Sequence, residues 1–403
     1  MGKPRLLVLA STYPARPGDG TPSFVRDLAL GMTEAFDVEV VVPAVPGGAP
    51  VERDGALIVT RFRYFWKPWE DLADGAILEN LRARRSRLVQ VPCLLFAEYL
   101  AVRRAVRRAR PDVIHAHWIV PQGMVARLAT RGIPTVVTTL GGDLYALRSR
   151  VARRVKAGVV RRAAAVTVMN DEMADMVIAL GAAPDAVSVM PMGFDPSFLA
   201  PSSLAGRKPG PERGALSLLF VGRLVEKKGL VVLLAALRER PPGAPWRLVV
   251  VGDGPLRAEI EGAAASMPVS FLGQLGRTKL ARAYAEADIA IFPSLRAASG
   301  DQDGLPVALL EAMGSGCAVI ASDLPGLRAA IERDASGILV PPGASEALAD
   351  AVASLADDPG LRRRLGERAA ARARAFDVAT VARGYRDLLL RVVGDATSRS
   401  PRN

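Results

Sequence analysis

The sequence predicts an α/β fold with two separate parallel sheets. Short apolar runs alternate with helical stretches along nearly all of the 403 residues, which is typical of parallel βαβ units. Near residues 200–213 the composition shifts to Pro, Ser, Gly and charged residues, as in a linker. Half of the residues are apolar, so each half can bury a core. We therefore expect two Rossmann-like domains, 1–195 and 196–375, facing each other across a cleft.

The first half is expected to form seven strands with helices between them. The predicted strands are Leu6–Ala10, Val38–Pro43, Ile58–Phe62, Val113–Trp118, Thr135–Leu140, Val166–Met169 and Val187–Met190. Two of the intervening stretches have helical periodicity, Pro22–Ala35 and Phe96–Arg110.

The second half repeats this alternation and then becomes purely helical. Its predicted strands are Leu216–Val221, Arg247–Val251, Val269–Leu272, Ile289–Pro293, Ala318–Ser322 and Ile338–Val340. The predicted helices between them are Gly229–Arg238, Leu256–Ala265, Lys279–Glu286 and Pro306–Met313. Three final helices without a strand follow, Glu346–Leu355, Pro359–Ala375 and Val378–Val392.

The composition restricts the partners of the chain. The formal net charge of +12 comes almost entirely from arginine, and such a balance favours an anionic ligand or surface. No nucleic-acid recognition motif accompanies it, so we expect no nucleic-acid partner. Cys93 and Cys317 lie in apolar contexts and are predicted to be reduced core residues. The N-terminus has no signal-peptide core and no apolar run approaches the roughly 18 residues of a spanning helix, which predicts a cytoplasmic protein.

The segment Asp303–Met313 carries the most informative pattern, with Asp303 and Glu311 eight residues apart. A loop followed by a helix N-terminus can bring both carboxylates to one ligand, while the amides between them face a phosphate. Carboxylates accept hydrogen bonds from hydroxyls, and hydroxyls plus phosphate describe a sugar nucleotide. The alternative is an ordinary helix entry with a solvated glutamate.

The segment Val221–Gly229 leaves the first strand of the second domain and ends at a helix start. Its Arg223 and Lys228 are expected to reach the rim of the cleft. A fixed guanidinium fork and a mobile ammonium suit a diphosphate leaving group. The alternative is a solvated pair of surface charges.

A glycine-containing turn, Gly18–Ser23, follows the first strand and opens the first helix. Gly20 and Thr21 are therefore candidates for contact with a diphosphate, since glycine lets the backbone approach and the helix N-terminus supplies N–H donors. The spacing G-x-G-x-x-G is absent, which argues against a nicotinamide cofactor.

The two histidines, His115 and His117, lie two residues apart on one predicted strand and point the same way. No cluster of Cys, Asp or Glu joins them, so we reject a zinc site. His117 is nearer the strand end and is expected to contact the sugar or phosphate, with His115 packed inside.

After the next strand, Asp143 in Thr139–Asp143 either binds an acceptor hydroxyl or caps a turn.

Taken together, these motifs resemble the retaining glycosyltransferases of the glycosyl transferase group 1 type, which have the GT-B fold. The resemblance covers nearly the whole chain and is most specific in five ordered segments of the second half. They are Val221–Gly229, Val251–Leu256, Phe271–Gln274, Tyr284–Ser294 and Asp303–Met313. The family signature is Glu-x7-Glu, in which Glu311 takes the second place and Asp303, one methylene shorter, takes the first.

The resemblance implies a donor site in the second domain. Glu311 would bind the nucleotide ribose and Asp303 the hydroxyls of the donor sugar. The main chain at Gly304, Leu305 and Val307 would face the phosphates, because the proline between them has no N–H.

The other candidates receive roles by the same resemblance. Arg223 and Lys228 look like the diphosphate-binding pair, and the Gly20–Thr21 loop like the one covering the donor phosphates. His117 resembles the histidine near the transferred sugar. A histidine common in the family is replaced by Leu140, so that contact is absent. The helix Val378–Val392 would cross back onto the first domain, which residues 376–395 would complete.

The implied activity is metal-independent, retaining transfer of a hexose from a UDP- or GDP-sugar. The acceptor would be a hydroxyl of a glycan, glycolipid or lipid-linked molecule, as in bacterial surface polysaccharide synthesis, with no cofactor besides the nucleotide-sugar co-substrate. Arg223 and Lys228 would offset the charge of the leaving diphosphate. A catalytically weak, sugar-nucleotide-binding subunit is the alternative that Asp303 and Leu140 favour.

An arginine-rich segment, Leu81–Arg110, surrounds the apolar stretch Val91–Leu100 with nine arginines. A basic amphipathic helix of this kind can lie on an anionic leaflet, which would place the protein at the inner face of the plasma membrane. The alternative is an ordinary surface helix with a solvated face.

Overall fold

The computed structural model describes residues 2–15, 21–75, 77–199, 215–243 and 245–399. The chain divides into unit 1, Met1–Met192 with Val378–Asn403, and unit 2, Gly193–Asp377. Each unit has its own mostly parallel sheet, so the predicted α/β class with two Rossmann-like domains is confirmed. The predicted linker, near residues 200–213, lies outside the described residues.

Unit 1 is built on a sheet whose strand order is β3-β4-β2-β1-β5-β6-β7-β8. The strands are β1 Arg5–Leu9, β2 Asp37–Pro43, β3 Val51–Asp54, β4 Leu57–Phe62, β5 Val113–His117, β6 Thr135–Thr138, β7 Ala165–Val168 and β8 Val187–Val189. All pairs are parallel except β3 with β4. The chain order reverses between β1 and β5, the switch point at which such sheets bind ligands.

Unit 2 has a fully parallel sheet of strand order β11-β10-β9-β12-β13-β14. Its strands are β9 Leu216–Val221, β10 Trp246–Val251, β11 Val269–Phe271, β12 Ile289–Phe292, β13 Ala318–Ser322 and β14 Ile338–Val340. Here the order reverses between β9 and β12. A buried aliphatic cluster that includes Leu218, Leu233 and Ile320 joins the sheet to its helices.

Helices cover both sheets and account for the rest of the regular structure. In unit 1 they begin with α1 Phe24–Met32, α2 Ile77–Ala83, α3 Gln90–Ala109, α4 Met124–Ala129, α5 Gly142–Tyr145, α6 Arg150–Val160 and α7 Asp171–Ala179. Unit 2 contributes α8 Leu230–Glu239, α9 Arg257–Ala263, α10 Arg277–Glu286, α11 Val307–Gly314, α12 Pro325–Arg328, α13 Ser345–Asp357 and α14 Pro359–Ala373. The last helix is α15 Val378–Arg399.

Helix α15 belongs to unit 1 although it follows unit 2 in the chain. It packs on α1 and β5, and Gly31 permits the approach because a Cβ there would lie 2.5 Å from the Cβ of Ala382. Tyr385 is fully buried and its hydroxyl donates to the carbonyl oxygen of Met190 at 2.8 Å. The C-terminal helix thus returns to the first unit as predicted.

The arginine-rich segment Leu81–Arg110 is divided among several elements, and its long helix starts earlier than predicted. The end of α2 is followed by a 3-10 turn at Arg85–Val89, and α3 begins at Gln90, six residues before the predicted start at Phe96. Pro92 lies in the first turn of α3, where a proline is tolerated, so it does not prevent this earlier start. Among the described residues, no helix is both long and apolar enough to cross a bilayer.

Two further features differ from the expectation. Cys93 is exposed, because it lies on the outward face of α3 while Leu94 points to the core; Cys317 is buried as predicted. The antiparallel edge strand β3 was not predicted, since its sequence, Val-Glu-Arg-Asp, has no apolar run.

Candidate functional site

The predicted donor-binding residues of unit 2 lie at the switch point of its sheet. Arg223 and Lys228 belong to the loop after β9, which ends in the 3-10 turn Glu226–Lys228. Asp303 lies in the loop between β12 and α11. Because β9 and β12 are adjacent and parallel, the loops that follow them meet at the same edge of the sheet.

The two loops are joined by an ion pair between residues 75 positions apart. Lys228 Nζ lies 2.7 Å from Asp303 Oδ2, and Lys227 Nζ lies 3.5 Å from Asp303 Oδ1. Ser294 Oγ donates to the same carboxylate at 3.4 Å. Burial acts to raise the pKa of Asp303, but Lys228 and Lys227 outweigh it and hold the pKa below its ordinary value. Asp303 is therefore ionised at neutral pH.

The backbone of the β9 loop is fixed against the end of β12. Gly229 has a left-handed conformation (φ 65°), and a Cβ there would lie 1.8 Å from the carbonyl oxygen of Pro293, so only glycine is accommodated. Leu295 N donates to the carbonyl oxygen of Lys227 at 2.8 Å. The position of Lys228 is thus set by main-chain contacts on both sides of it.

Arg223 is held by a second glycine-rich segment that sequence reasoning matched only as a family motif. Gly252 (φ 130°) and Gly254 pack on the Arg223 turn, where Cβ atoms would lie 2.0 Å from Gly222 O and 2.5 Å from Leu224 O. Leu224 N also donates to Asp253 O at 3.0 Å. Burial lowers the pKa of the Arg223 guanidinium, and Asp301 opposes this shift. Arg223 is therefore a partly buried cation beside the lysine–carboxylate cluster.

The loop after Asp303 leads into the N-terminus of α11, as the sequence predicts. Helix α11 begins at Val307, and the first N–H groups of a helix have no partner within it. Gly304 and Leu305 are buried, and Gly326 supports this loop, since a Cβ there would lie 2.0 Å from Gly304 O. The amides named for phosphate contact therefore lie on one well-packed turn.

Glu311 is oriented by a buried tyrosine that the sequence reasoning did not assign a role. The Tyr284 hydroxyl donates to Glu311 Oε2 at 2.8 Å and lies 3.2 Å from the carbonyl oxygen of Ala308. Burial and the neighbouring Glu311 carboxylate raise the pKa of Tyr284 well above its ordinary value, so it stays a neutral donor. One oxygen of Glu311 is thereby fixed in direction.

In unit 1, His117 lies at the end of β5, at the switch point of that sheet. It is buried, and its Nδ1 has no hydrogen-bond partner among the described residues. Burial, reinforced by His115, holds its pKa well below the ordinary value, so the imidazole is neutral. An unpaired buried nitrogen at a switch point is a position from which a polar ligand can be bound.

His115 is packed inside, as predicted, and belongs to a polar network. Its Nε2 lies 2.7 Å from Thr138 Oγ1, which lies 2.6 Å from Thr167 Oγ1. The Tyr385 hydroxyl of α15 lies 3.2 Å from Thr167 Oγ1, and the His115 and His117 ring centroids are 4.2 Å apart. Burial lowers the pKa of His115 to about 3. The network thus fixes the ring of His115, against which the ring of His117 packs.

Asp143 is occupied by contacts within the protein. Its Oδ2 accepts from Ile119 N at 2.6 Å, its Oδ1 accepts from the Thr139 hydroxyl at 2.7 Å, and the residue is buried. Desolvation raises its pKa against these hydrogen bonds. This arrangement favours the capping interpretation, in which Asp143 holds the turn that follows His117. Its contact with an acceptor stays a prediction.

The structure describes only one of the two residues predicted to contact the donor phosphates in the Gly20–Thr21 loop. Gly20 lies outside the described residues. Thr21 is partly buried and comes two residues before Ser23, whose hydroxyl donates to Asp27 Oδ2 at 2.6 Å in the first turn of α1. No three His, Cys, Asp or Glu side chains in the described ranges are grouped so as to hold a metal ion; metal independence stays a prediction.

The turn after His117 is strained and contacts a buried carboxyl of α3, neither of which the sequence predicted. Trp118 adopts φ 77°, a conformation rare for a non-glycine residue. Gln122 follows in the same turn, and its side chain hydrogen-bonds to Glu98 of α3; both residues are buried. No sequence signal marked Glu98, because one glutamate in an arginine-rich helix looks like part of its solvated face.

We expect Glu98→Gln to remove a pH dependence of stability. Burial raises the pKa of Glu98 from its ordinary value of 4.5 to about 8, although the Gln122 contact opposes the shift. Between these values the folded chain keeps a proton that the unfolded chain releases, so rising pH destabilises the fold by about 1.4 kcal/mol per unit. Thermal unfolding should show a stability gain for the variant that is larger at pH 8 than at pH 5; a constant difference would contradict this.

Comparison with known proteins yields two family models that together span both units. The model described as "Glycosyl transferases group 1" matches residues 207–372, and "Glycosyl transferase 4-like domain" matches residues 19–193.

Two curated relatives and one solved structure illustrate the likeness. The chain is 31% identical over 346 residues to a D-inositol 3-phosphate glycosyltransferase of Saccharomonospora viridis, covering 77% of this chain and 78% of that protein. It is 37% identical over 178 residues to the amylovoran biosynthesis glycosyltransferase AmsK of Erwinia amylovora, covering 43% of this chain and 42% of AmsK. The structure of Anabaena Alr3699/HepE in complex with UDP and glucose aligns with a TM-score of 0.70 at 21% identity, covering 96% of this chain and 99% of that one.

Proposed function

The chain belongs to the glycosyl transferase group 1 family and is a glycosyltransferase, and from this premise we propose that it transfers a hexose with retention of configuration. The donor is a UDP- or GDP-sugar. The acceptor is a hydroxyl of a glycan, glycolipid or lipid-linked molecule. The likeness to AmsK supports a role in bacterial surface polysaccharide or glycoconjugate synthesis.

The observation that carries the proposal is the cluster of Lys228, Asp303 and Arg223 at the switch point of unit 2. Two cations at the carboxyl edge of a parallel sheet suit a diphosphate. Their charge offsets the negative charge that develops on the leaving phosphate as the glycosidic bond breaks. The UDP complex of a structure with the same fold supports a uridine nucleotide.

The rest of the donor is assigned to the adjoining elements of unit 2. Glu311, with one oxygen fixed by Tyr284, accepts hydrogen bonds from the ribose hydroxyls. The amides at the start of α11 face the phosphates, because helix N-termini stabilise anions. Asp303 accepts from hydroxyls of the transferred sugar while it remains paired with Lys228.

His117 is the unit 1 residue that we assign to the transferred sugar. Its imidazole is neutral and buried, and its Nδ1 has no partner among the described residues. A neutral ring can donate or accept one hydrogen bond without adding charge beside a developing oxocarbenium ion.

The proposed reaction is a front-face displacement at the anomeric carbon. The bond between the anomeric carbon and the phosphate oxygen breaks, and the acceptor oxygen bonds to that carbon from the same side. The acceptor's hydroxyl proton passes to the departing phosphate oxygen, so atoms and charges balance without a protein nucleophile or a metal. Each cation of the Arg223 and Lys228 pair stabilises the leaving group.

A transfer assay with the full chain tests the proposal. Thermal-shift measurements with UDP-, GDP- and ADP-sugars identify the donor, since a bound ligand raises the unfolding temperature. Isotope-labelled donor then reports hydrolysis and transfer, with and without EDTA, and NMR of the product gives the anomeric configuration. We expect a retained anomer and turnover unaffected by EDTA.

Other outcomes of this assay would change the assignment. Donor binding without hydrolysis or transfer would favour a non-catalytic subunit. An inverted anomer would exclude the front-face mechanism, and loss of turnover in EDTA that Mg²⁺ restores would exclude metal independence. Such a result would leave family membership untouched, since that is established by the comparisons alone.

A further inference from the structure

The largest exposed apolar side chains of the described chain are concentrated in one short region. Trp66, Trp69 and Phe96 are 71%, 68% and 64% exposed, and Leu88 and Val89 between them are also exposed. Several large apolar side chains exposed in one region are typical of a surface that contacts a protein or a membrane. None of these residues belongs to the donor-binding cluster of unit 2 or to the His117 region.

Hydrogen bonds place the loop that carries Trp66 and Trp69 beside the start of α3. The name docking face is used here for residues 63–71 and 84–89 with the outward side of α3. Asp71 accepts from Arg87 Nη2 at 2.6 Å and from Gln90 Nε2 at 2.9 Å, which fixes the tryptophan loop beside the start of α3. Glu70 Oε1 accepts from Tyr64 N and Phe65 N. The loop is therefore a built part of the fold.

The docking face is strongly basic. Residues 63–71 and 84–109 contain nine Arg and Lys and three Asp and Glu, a formal charge of +6, against +12 for the whole chain. In α3 the only carboxyl is Glu98, which is buried. Along its exposed side α3 passes from Pro92, Cys93 and Phe96 to arginines at its C-terminal end. This pattern of apolar and cationic side chains complements a surface of acyl chains and phosphates.

A cavity of about 340 Å³ opens between β4 and α3 within the same region. Phe62, Ala97 and Leu100 are among the apolar groups that line it, and Arg63, Arg104 and Arg108 also contribute to its walls. An apolar lining with adjacent arginines suits an amphiphilic anion, with its chain inside and its phosphate beside the guanidinium groups.

We propose that the docking face binds an anionic phospholipid bilayer, with Trp66, Trp69 and Phe96 entering the interface and the arginines on lipid phosphates. Charge complementarity favours this occupant over a second copy of the chain, which carries the same positive face. The inference extends the proposed function by placing a lipid-linked acceptor near unit 1. Its test, however, requires no transfer reaction.

Vesicle binding by the full chain tests this directly. Phosphatidylcholine vesicles with and without about one-third phosphatidylglycerol are sedimented with the protein, and salt is varied. Cys93 is exposed and Cys317 is buried, so a polarity-sensitive fluorophore on Cys93 reports entry into the bilayer. We expect binding only to anionic vesicles, a blue shift of the fluorophore, and release by salt.

Two variants and one matched control separate the contributions. Trp66→Ser with Trp69→Ser, and Arg104→Glu with Arg107→Glu, should each weaken vesicle binding at least about tenfold. Val151→Ser with Arg153→Glu and Arg154→Glu removes an exposed apolar group and two exposed arginines of α6 and should leave binding nearly unchanged. Equal binding to neutral vesicles, or an equal loss in the control, would overturn the proposal.

Self-association and donor turnover of the same variants distinguish membrane docking from the alternatives. Self-association that the tryptophan variants abolish would identify a second copy as the occupant and overturn membrane docking. Donor hydrolysis in solution should persist in these variants, because none of the altered residues belongs to the donor site. Vesicle binding without any donor turnover would refute the proposed function while supporting the docking face.

Discussion

Replacing Lys228 by alanine is expected to lower the turnover number at least about a hundredfold, because a preorganised cation at a developing phosphate charge contributes several kcal/mol. The structure supports a large effect, since Lys228 is mostly buried and its position is fixed by Gly229 against Pro293 and by the bond to Asp303. The effect should fall on kcat more than on the donor KM, because the diphosphate gains additional negative charge as the glycosidic bond breaks, and Lys228 offsets this added charge in the transition state.

The control for this prediction is Lys279→Ala. Lys279 is exposed on α10 of the same unit, so it removes the same charge from unit 2 without touching the cluster. Thermal unfolding of both variants shows whether the fold is kept, which matters because Asp303 loses its nearer partner. A folded Lys228→Ala variant with unchanged turnover would remove Lys228 from the mechanism.

Arg223 offers a second measurement on the same leaving group. Arg223→Lys keeps the charge but loses the planar fork that matches phosphate oxygens, so we expect it to retain more activity than Arg223→Ala. Equal losses would mean that bidentate geometry rather than charge is what Arg223 supplies. Full activity in both variants would contradict the assignment of Arg223.

Much of the unit 2 site was predictable because its residues follow strand ends. Lys228 and Asp303 are 75 positions apart, yet the predicted strands before them are neighbours in the sheet, so their contact follows from topology. The pairing partners of each group were less predictable. Tyr284, for example, reaches Glu311 from the buried side of α10, and its contact depends on how two helices pack.

The unit 1 predictions show where local pattern is insufficient. Asp143 had two chemically sound interpretations, and only burial with two internal donors favours the capping one. Cys93 and Glu98 are five residues apart on α3, and their exposures are the reverse of what residue type suggests. Which side of α3 faces the core is decided by its packing on α4 and on strands such as β2, which the periodicity of α3 alone does not encode.

Asp303 combines two roles, and substitutions of this residue can separate them. Its carboxylate orients Lys228 at 2.7 Å and is also the group that we assign to the donor-sugar hydroxyls. Asp303→Ala should lower kcat/KM at least about a hundredfold in either case, because a charge-assisted contact is lost and two lysines lose a partner. The activity of this variant alone therefore cannot distinguish the roles.

The affinities for UDP and for a UDP-sugar distinguish them. If Asp303 contacts the sugar, Asp303→Asn should weaken binding of the UDP-sugar while leaving UDP affinity almost unchanged, since UDP has no sugar to hold. If Asp303 only positions Lys228, both affinities should fall together, because the diphosphate is common to both ligands. We expect the first pattern when both affinities are measured by calorimetry. The Ser294 hydroxyl, which lies 3.4 Å from the carboxylate, can also hydrogen-bond to the asparagine amide of the variant.

Asp303→Glu tests the length of this side chain, because glutamate is the residue that the family signature carries at this position. The added methylene moves the carboxylate forward in a loop whose backbone is fixed by Gly326 against Gly304. If the aspartate loop has adjusted to the shorter side chain, Glu should weaken the Lys228 pair and lower turnover. Full activity would show that the site accepts either side-chain length at position 303. The transferred sugar would then require a carboxylate charge there but no exact position of the carboxylate oxygens.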